Sequence, residues 1–259
     1  MDSPHADATG AAIRTDGFGL KGPRGWAFRG VAIDAAPGSL VAVTGPSGSG
    51  RTSLLLALTG RMKPAEGLAE VAHLPLPRKM AAVRRISALG QVPGVSELDP
   101  AFTVAEHLRE RVMLLRRYDG SVRALLRSPA ERRAESRSRI ADALASAGLD
   151  LASLPKREHT SVRDLERLEA LRLSVALALI GRPRLLAVDD TDLKLSDAER
   201  VAAWALLRSV ADAGTTVLAV CSEAPAKADI TVRTTEAATG DGATNEEGAA
   251  DAFATTGSA

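Results

Sequence analysis

The chain has 259 residues, a net charge of +1, 45% hydrophobic residues and 3% aromatics. That length suits one large domain, or a domain with an inserted subdomain, whose core is built from Leu, Val, Ile and Ala. The charge supplies no field for nucleic acid. One cysteine makes no intramolecular disulfide or cysteine zinc site, and no apolar run approaches the ~20 residues that span a bilayer.

Residues 1–11 are polar, carry acids and are expected to be disordered; they do not resemble a signal peptide, so a cytoplasmic chain is expected. From about Ala12 to Leu98 strand patterns dominate. Val31-Ala32-Ile33 alternates, Ala36-Pro37-Gly38 marks a turn, and Leu40 to Val43 is an apolar strand. Residues 45–52 then read Gly-Pro-Ser-Gly-Ser-Gly-Arg-Thr, followed by a helical run to Leu58 that stops at Gly60.

About Asp99 to Thr160 is helical. Thr103 with Glu106, and Ser128 with Glu131, each make a capping box, the second with Pro129 at the first helical position. Residues 109–139 hold ten arginines against four acids, a solvated face by default and a basic docking surface otherwise. A further helix is expected from Ser161, with Asp164 three residues on, to Gly181. Strand Leu185–Val188, a helix over about Asp197 to Ala213 and strand Val217–Val220 follow. Short continuous apolar runs suit parallel strands buried on both faces. The expected fold is therefore an α/β P-loop core, mainly parallel sheet flanked by helices. An N-terminal β-rich part and an inserted helical subdomain at about 99–160 complete a domain over 12–235, with a disordered tail at 236–259.

The 45–52 segment matches G-x-x-x-x-G-K-[ST] with Arg51 in place of lysine. Glycines let the backbone approach phosphate and turn N–H groups inward, and the following helix presents its positive end. Gly45, Pro46, Ser47, Gly48, Ser49, Gly50, Arg51, Thr52 and Ser53 are the expected nucleotide-binding residues. Thr52 would place its hydroxyl on Mg²⁺. Arg51 keeps the charge but has a bulkier, differently aimed fork. Asp189 ends an apolar strand, where a carboxylate can hold Mg²⁺. The four histidines are scattered and are expected to pack or face solvent.

With the loop at 45–52 and the run Gly181-Arg182-Pro183-Arg184-Leu185-Leu186-Ala187-Val188-Asp189-Asp190, the chain resembles the nucleotide-binding domain of the ATP-binding cassette (ABC) family over about Phe18 to Ala228. Ala88-Leu89-Gly90-Gln91 resembles the Q-loop, with Gln91 lying 40 residues after Arg51. The resemblance implies ATP and Mg²⁺ as ligands, with Gln91 touching the metal beside Thr52 and Asp189. It also implies an integral membrane partner engaging the helical subdomain, a homo- or heterodimer with another nucleotide-binding domain, and a place at the inner face of the cell membrane through that partner.

The departures from the family pattern fall on hydrolysis. Leu165-Glu166-Arg167-Leu168-Glu169 stands where the family has Leu-Ser-Gly-Gly-Gln. Asp190 replaces the catalytic glutamate one methylene short, Thr191 replaces a proline, and Ser222 takes the switch-histidine position. Trp26 lies four residues late to stack on adenine, so strand packing is its expected role. The expected function is an ATP-binding subunit that binds Mg-ATP with weakened or absent hydrolysis. The alternative is a fully active ATPase driving transport, with Asp190 as the base.

Overall fold

The computed structural model describes residues 10–23, 25–118 and 128–235. The expectations for residues 1–9, for the tail 236–259 and for the middle of the arginine-rich segment lie outside these residues. Strands β1 (Ile13–Gly22), β2 (Gly25–Ala35), β4 (Glu66–Val71) and β5 (Leu74–Leu76) form an antiparallel sheet in the order β2-β1-β4-β5. Strands β3 (Leu40–Thr44), β6 (Ser87–Leu89), β7 (Leu185–Val188), β8 (Thr216–Val220) and β9 (Ile230–Arg233) form a parallel sheet in the order β6-β7-β8-β3-β9. The β3 strand pairs with β8 on one side and β9 on the other, in register from Leu40↔Val217 and Val41↔Ile230.

The apolar runs of these strands are explained by burial on both faces. On one face Val41, Val43, Leu185, Ala187, Leu218 and Val220 pack with helix α1 (Arg51–Leu58) and the antiparallel sheet. On the other, Leu40, Leu186, Val188, Val217 and Ala219 pack with later helices. Each fully buried Leu or Val contributes about 1.5–3 kcal/mol, so neither face admits a one-residue slip.

Helix α2 (Met80–Ile86) interrupts the strand-rich first block and leads directly into β6; its seven residues were too short to stand out by periodicity. Both expected capping boxes form. Glu106 accepts from the Thr103 N–H at 2.7 Å at the head of α3 (Val104–Tyr118), and Glu131 accepts from the Ser128 N–H at 2.8 Å at the head of α4 (Pro129–Ser146).

Two expectations need correction. The helix expected from Ser161 starts at Arg167 and ends at Leu179, as α5. Only a single 3₁₀ turn, Val162–Asp164, follows Ser161. The reason is that this stretch is stitched to the chain ahead of α3: Val162 N–H donates to Phe102 O, Val104 N–H to Thr160 O, and Ser161 Oγ to Pro100 O. Glu169 then accepts from the Glu166 N–H at 2.9 Å and opens α5. Gly10 and Ala11, expected to be disordered, are packed. Ala11 is fully buried, and its N–H donates to Arg184 O and Thr216 Oγ1. The last helix, α6 (Asp197–Asp212), is capped by Ser196 and Glu199. Among the described residues no helix is long and apolar enough to cross a membrane.

Candidate functional site

The candidate site lies at the carboxyl ends of β3, β7 and β8, where open α/β sheets hold their ligands. The turn after β3 is shaped by glycines with distinct roles. Gly50 sits immediately before α1 at φ 79, and a Cβ there would fall 2.0 Å from the Ala27 carbonyl oxygen. Gly48 has φ 84 but faces open space. Gly45 is packed so closely that a Cβ would meet Thr234 O at 2.4 Å. Ser49 Oγ and Thr234 Oγ1 are 2.6 Å apart, so the residue after β9 braces the loop from behind. Ser49 N–H donates to Pro46 O and Leu54 N–H to Gly50 O, which closes the turn and starts the helix. The first N–H groups of α1, from Arg51 to Ser53, have no helical acceptor and point to the loop.

Thr52 in the first turn of α1 donates its hydroxyl to Asp189 Oδ2 at 2.5 Å. Asp189 is only 2% exposed, so its charge needs close partners. Its other oxygen accepts from the Asp190 N–H at 2.8 Å. The pair brings together a hydroxyl and a carboxylate, hard oxygen donors of the kind Mg²⁺ takes while keeping waters and phosphate as its other ligands. Gln91 reaches the same place by its backbone: its carbonyl accepts from the Asp189 N–H at 2.8 Å. Its side-chain amide is not among the partners of the Asp189 carboxylate.

Arg51 turns its guanidinium to the residue just past β8, where Nη1 donates to the Cys221 carbonyl at 2.9 Å. Asp190 adopts a left-handed conformation at φ 49, and its carbonyl accepts from the Leu193 N–H at 3.2 Å. Partial burial and then the Asp189 charge push the Asp190 carboxyl above its ordinary range, partly offset by Arg51 and Arg167. The buried Cys221 thiol is pushed up to about 12 by burial and the Asp192 charge, so it stays neutral.

Ser222, expected from the family pattern at the switch-histidine position, is held by Asp192, which no sequence motif marks. The Asp192 carboxylate accepts from Ser222 N–H, Ser222 Oγ and Glu223 N–H. The only sequence signal was a third acid close behind Asp189 and Asp190, with its partner 30 positions away. Trp26 lies in β2 with the Arg29 guanidinium 4.6 Å and the Lys21 ammonium 5.7 Å from its ring centroid. Those two cations occupy its surroundings on the antiparallel sheet. An open depression of about 450 Å³ flanks the loop on its β9 side, lined by Gly45, Pro46, Ser222, Arg233 and Thr234 among others.

The sequence pattern described as "ABC transporter" matches residues 28–192. Among curated proteins, the chain is 33% identical over 186 residues to the Nod factor export ATP-binding protein I of Cupriavidus metallidurans, covering 72% of this chain and 54% of that one. The protein of the same name from Paraburkholderia xenovorans is 30% identical over 189 residues, covering 73% and 55%. The chain thus spans about half the length of the curated relatives it matches. Among solved structures, a dimeric bacterial ABC transporter cassette superposes with a TM-score of 0.66 at 21% identity, covering 86% of this chain and 94% of that one. A bacterial Atm1-family ABC exporter with ATP bound gives 0.65 at 20% identity, covering 90% and 39%. At such identities these likenesses speak for the fold.

Proposed function

The chain belongs to the ABC transporter family, and we propose that within it this protein is an ATP-binding subunit that holds Mg-ATP and hydrolyses it weakly or not at all. The observation that carries the reading is the contrast within one site. The glycine turn and the Thr52–Asp189 pair are intact, whereas the positions serving hydrolysis are changed. Gly45 to Ser53 would hold the phosphates, and Thr52, Asp189 and Gln91 would face the metal. Bound Mg²⁺ would supply charge neutralisation at the phosphates. Arg51 brings a guanidinium to the same end of the sheet, with further N–H donors beyond the one given to Cys221.

The altered positions all bear on one transition state. Asp190 is a methylene short of the family glutamate, Ser222 carries no imidazole, and Glu166 and Leu168 replace the small signature residues that would approach a facing subunit's phosphate. Losses at positions that act together are not rescued one at a time. We further propose a membrane protein as partner, a cytoplasmic site of action at the membrane face, and pairing with a second cassette. The names of the relatives, which speak of export, and the exposed Phe102, Met113 and Leu114 on and beside α3 support a partner surface.

The second reading, a fully active ATPase, keeps one observation: burial and the Asp189 charge raise the proton affinity of Asp190, the direction of a better base. ATP binding and turnover measured side by side decide between the two. The first reading expects Mg-ATP binding with hydrolysis near background. Robust turnover that disappears in Asp189→Ala would refute it.

A further inference from the structure

Asp192 stands three residues beyond Asp189 in the loop after β7 and is 8% exposed. Its two oxygens lie 3.1 and 2.9 Å from the Ser222 nitrogen, with Ser222 Oγ at 3.4 Å and the Glu223 nitrogen at 3.3 Å. The Ser222 N–H belongs to the same planar peptide as the Cys221 carbonyl, and that carbonyl accepts from Arg51 Nη1 at 2.9 Å. In a trans peptide the N–H and C=O point in opposite directions. One peptide unit therefore has a carboxylate on its N–H edge and a guanidinium on its C=O edge. Such a chain of hydrogen bonds polarises cooperatively, each bond strengthening the next. The preceding peptide is fixed as well, since Cys221 N–H donates to Val43 O at 3.0 Å.

We propose that Asp192 is a positioning residue for Arg51, acting through the Cys221–Ser222 peptide to fix the guanidinium beside the phosphate cradle. The proposal rests on the nucleotide-binding reading above and adds a component to that site. A lysine in this position presents a compact point charge, whereas arginine presents a fork whose direction matters. Anchoring one of its five N–H donors to a pinned carbonyl sets that direction and leaves the others for phosphate oxygens. It also removes part of the entropy lost when a long side chain is immobilised on binding. The arginine in the loop and the carboxylate behind the switch position then form one assembly.

The test uses the full chain and its single cysteine as a local reporter. Cys221 is 1% exposed, so its reaction with a thiol reagent reports opening of this loop. Asp192→Ala is expected to raise the rate of Cys221 modification about tenfold or more. Asp192→Asn, which keeps the volume but only one acceptor oxygen, is expected to fall between it and the parent, and it carries the test if the alanine variant does not fold. ATP affinity should weaken about 2- to 12-fold in Asp192→Ala, the range for leaving one long side chain unordered. In an Arg51→Met background the same change should have no further effect, which a merely structural role of Asp192 would not produce. An equal loss of affinity in both backgrounds, or an unchanged thiol rate alongside normal ATP binding, would overturn the proposal. Absence of ATP binding in the parent protein would instead overturn the nucleotide reading, and the affinity argument with it, while the thiol rate still reports whether Asp192 pins the loop.

Discussion

Replacing two glycines of the loop separately should distinguish shaping the turn from admitting a ligand. Gly48 and Gly50 have nearly the same backbone conformation, with φ of 84 and 79. An alanine at either position carries the left-handed penalty of about 1–2 kcal/mol. Their surroundings differ. The Gly50→Ala methyl would overlap the Ala27 carbonyl at 2.0 Å, a backbone atom of β2 that cannot swing aside, whereas nothing lies within 4 Å of the Gly48→Ala methyl. Overpacking against a fixed neighbour adds about 1–3 kcal/mol. The expected losses are about 2–5 kcal/mol for Gly50→Ala and about 1–2 kcal/mol for Gly48→Ala. For a chain of this size they correspond to melting temperatures lower by about 4–20 °C and 2–8 °C. Nucleotide binding should reverse the order once each variant is measured well below its melting point. Gly48→Ala places a methyl in the open cradle and should weaken ATP at least about tenfold, as expected where close backbone approach is the purpose of the glycine. Calorimetric melting and ATP titration of both variants check this. Equal thermal losses, or undiminished ATP binding in Gly48→Ala, would refute the assignment of the open glycine to the ligand.

Three further outcomes follow from the same geometry. Arg51→Lys alone is expected to leave turnover near background, because Asp190, Ser222 and the Leu165–Glu169 stretch stay unchanged; family-like rates in a steady-state phosphate-release assay would show the arginine to be the sole lesion. Thr52→Ala and Asp189→Asn should each remove most of the gain in ATP affinity on adding Mg²⁺, about tenfold or more, and an undiminished gain would place the metal elsewhere. Asp190→Asn should stabilise the fold in a pH-dependent way. The native carboxyl is raised above its ordinary 3.8, so the folded state favours the protonated form, and the parent loses stability as pH rises above that value. The melting advantage of the variant should therefore be absent below that value, grow as pH rises through the raised native value and level off above it; a constant difference would contradict the burial argument.

Most of the scaffold was legible because its signals are local. The Thr103–Glu106 and Ser128–Glu131 boxes each lie within four residues, and the apolar runs of β3, β7 and β8 reflect burial on both faces. The start of α5 was not legible. Ser161 and Asp164 look like a helix head, but the backbone of Thr160, Val162 and Arg163 around them is committed to Val104, Phe102 and Pro100, some sixty residues earlier, and the Ser161 hydroxyl to Pro100 as well. Local propensity loses to such long-range pairing, and the next acids available, Glu166 and Glu169, open the helix instead. The order of Gly10 and Ala11 is hidden for the same reason, since composition alone does not reveal that Arg184 and Thr216 receive them. In the candidate site the sequence indicated Thr52 and Asp189 through the loop pattern and a strand end, while their direct hydrogen bond spans 137 positions.

The departures also change meaning when placed in space. Along the chain, Arg51, Asp190 and Ser222 are separate departures from the family pattern, and the proposed loss of hydrolysis treats each on its own. In the fold they surround one strand end. Arg51 bonds the carbonyl just before Ser222, Asp192 bonds the amide of Ser222, and Arg51 lowers the proton affinity that burial and Asp189 raise on Asp190. The Asp192 carboxylate occupies the Ser222 and Glu223 amides. A loop held on both edges of one peptide is poorly suited to swing with each catalytic cycle, since moving it breaks several charge-assisted bonds at once. The same rigidity favours a pre-arranged binding surface. The spatial arrangement thus supports the proposed binding role on grounds independent of the side chain at position 222: the loop after β8 is held as a fixed strut.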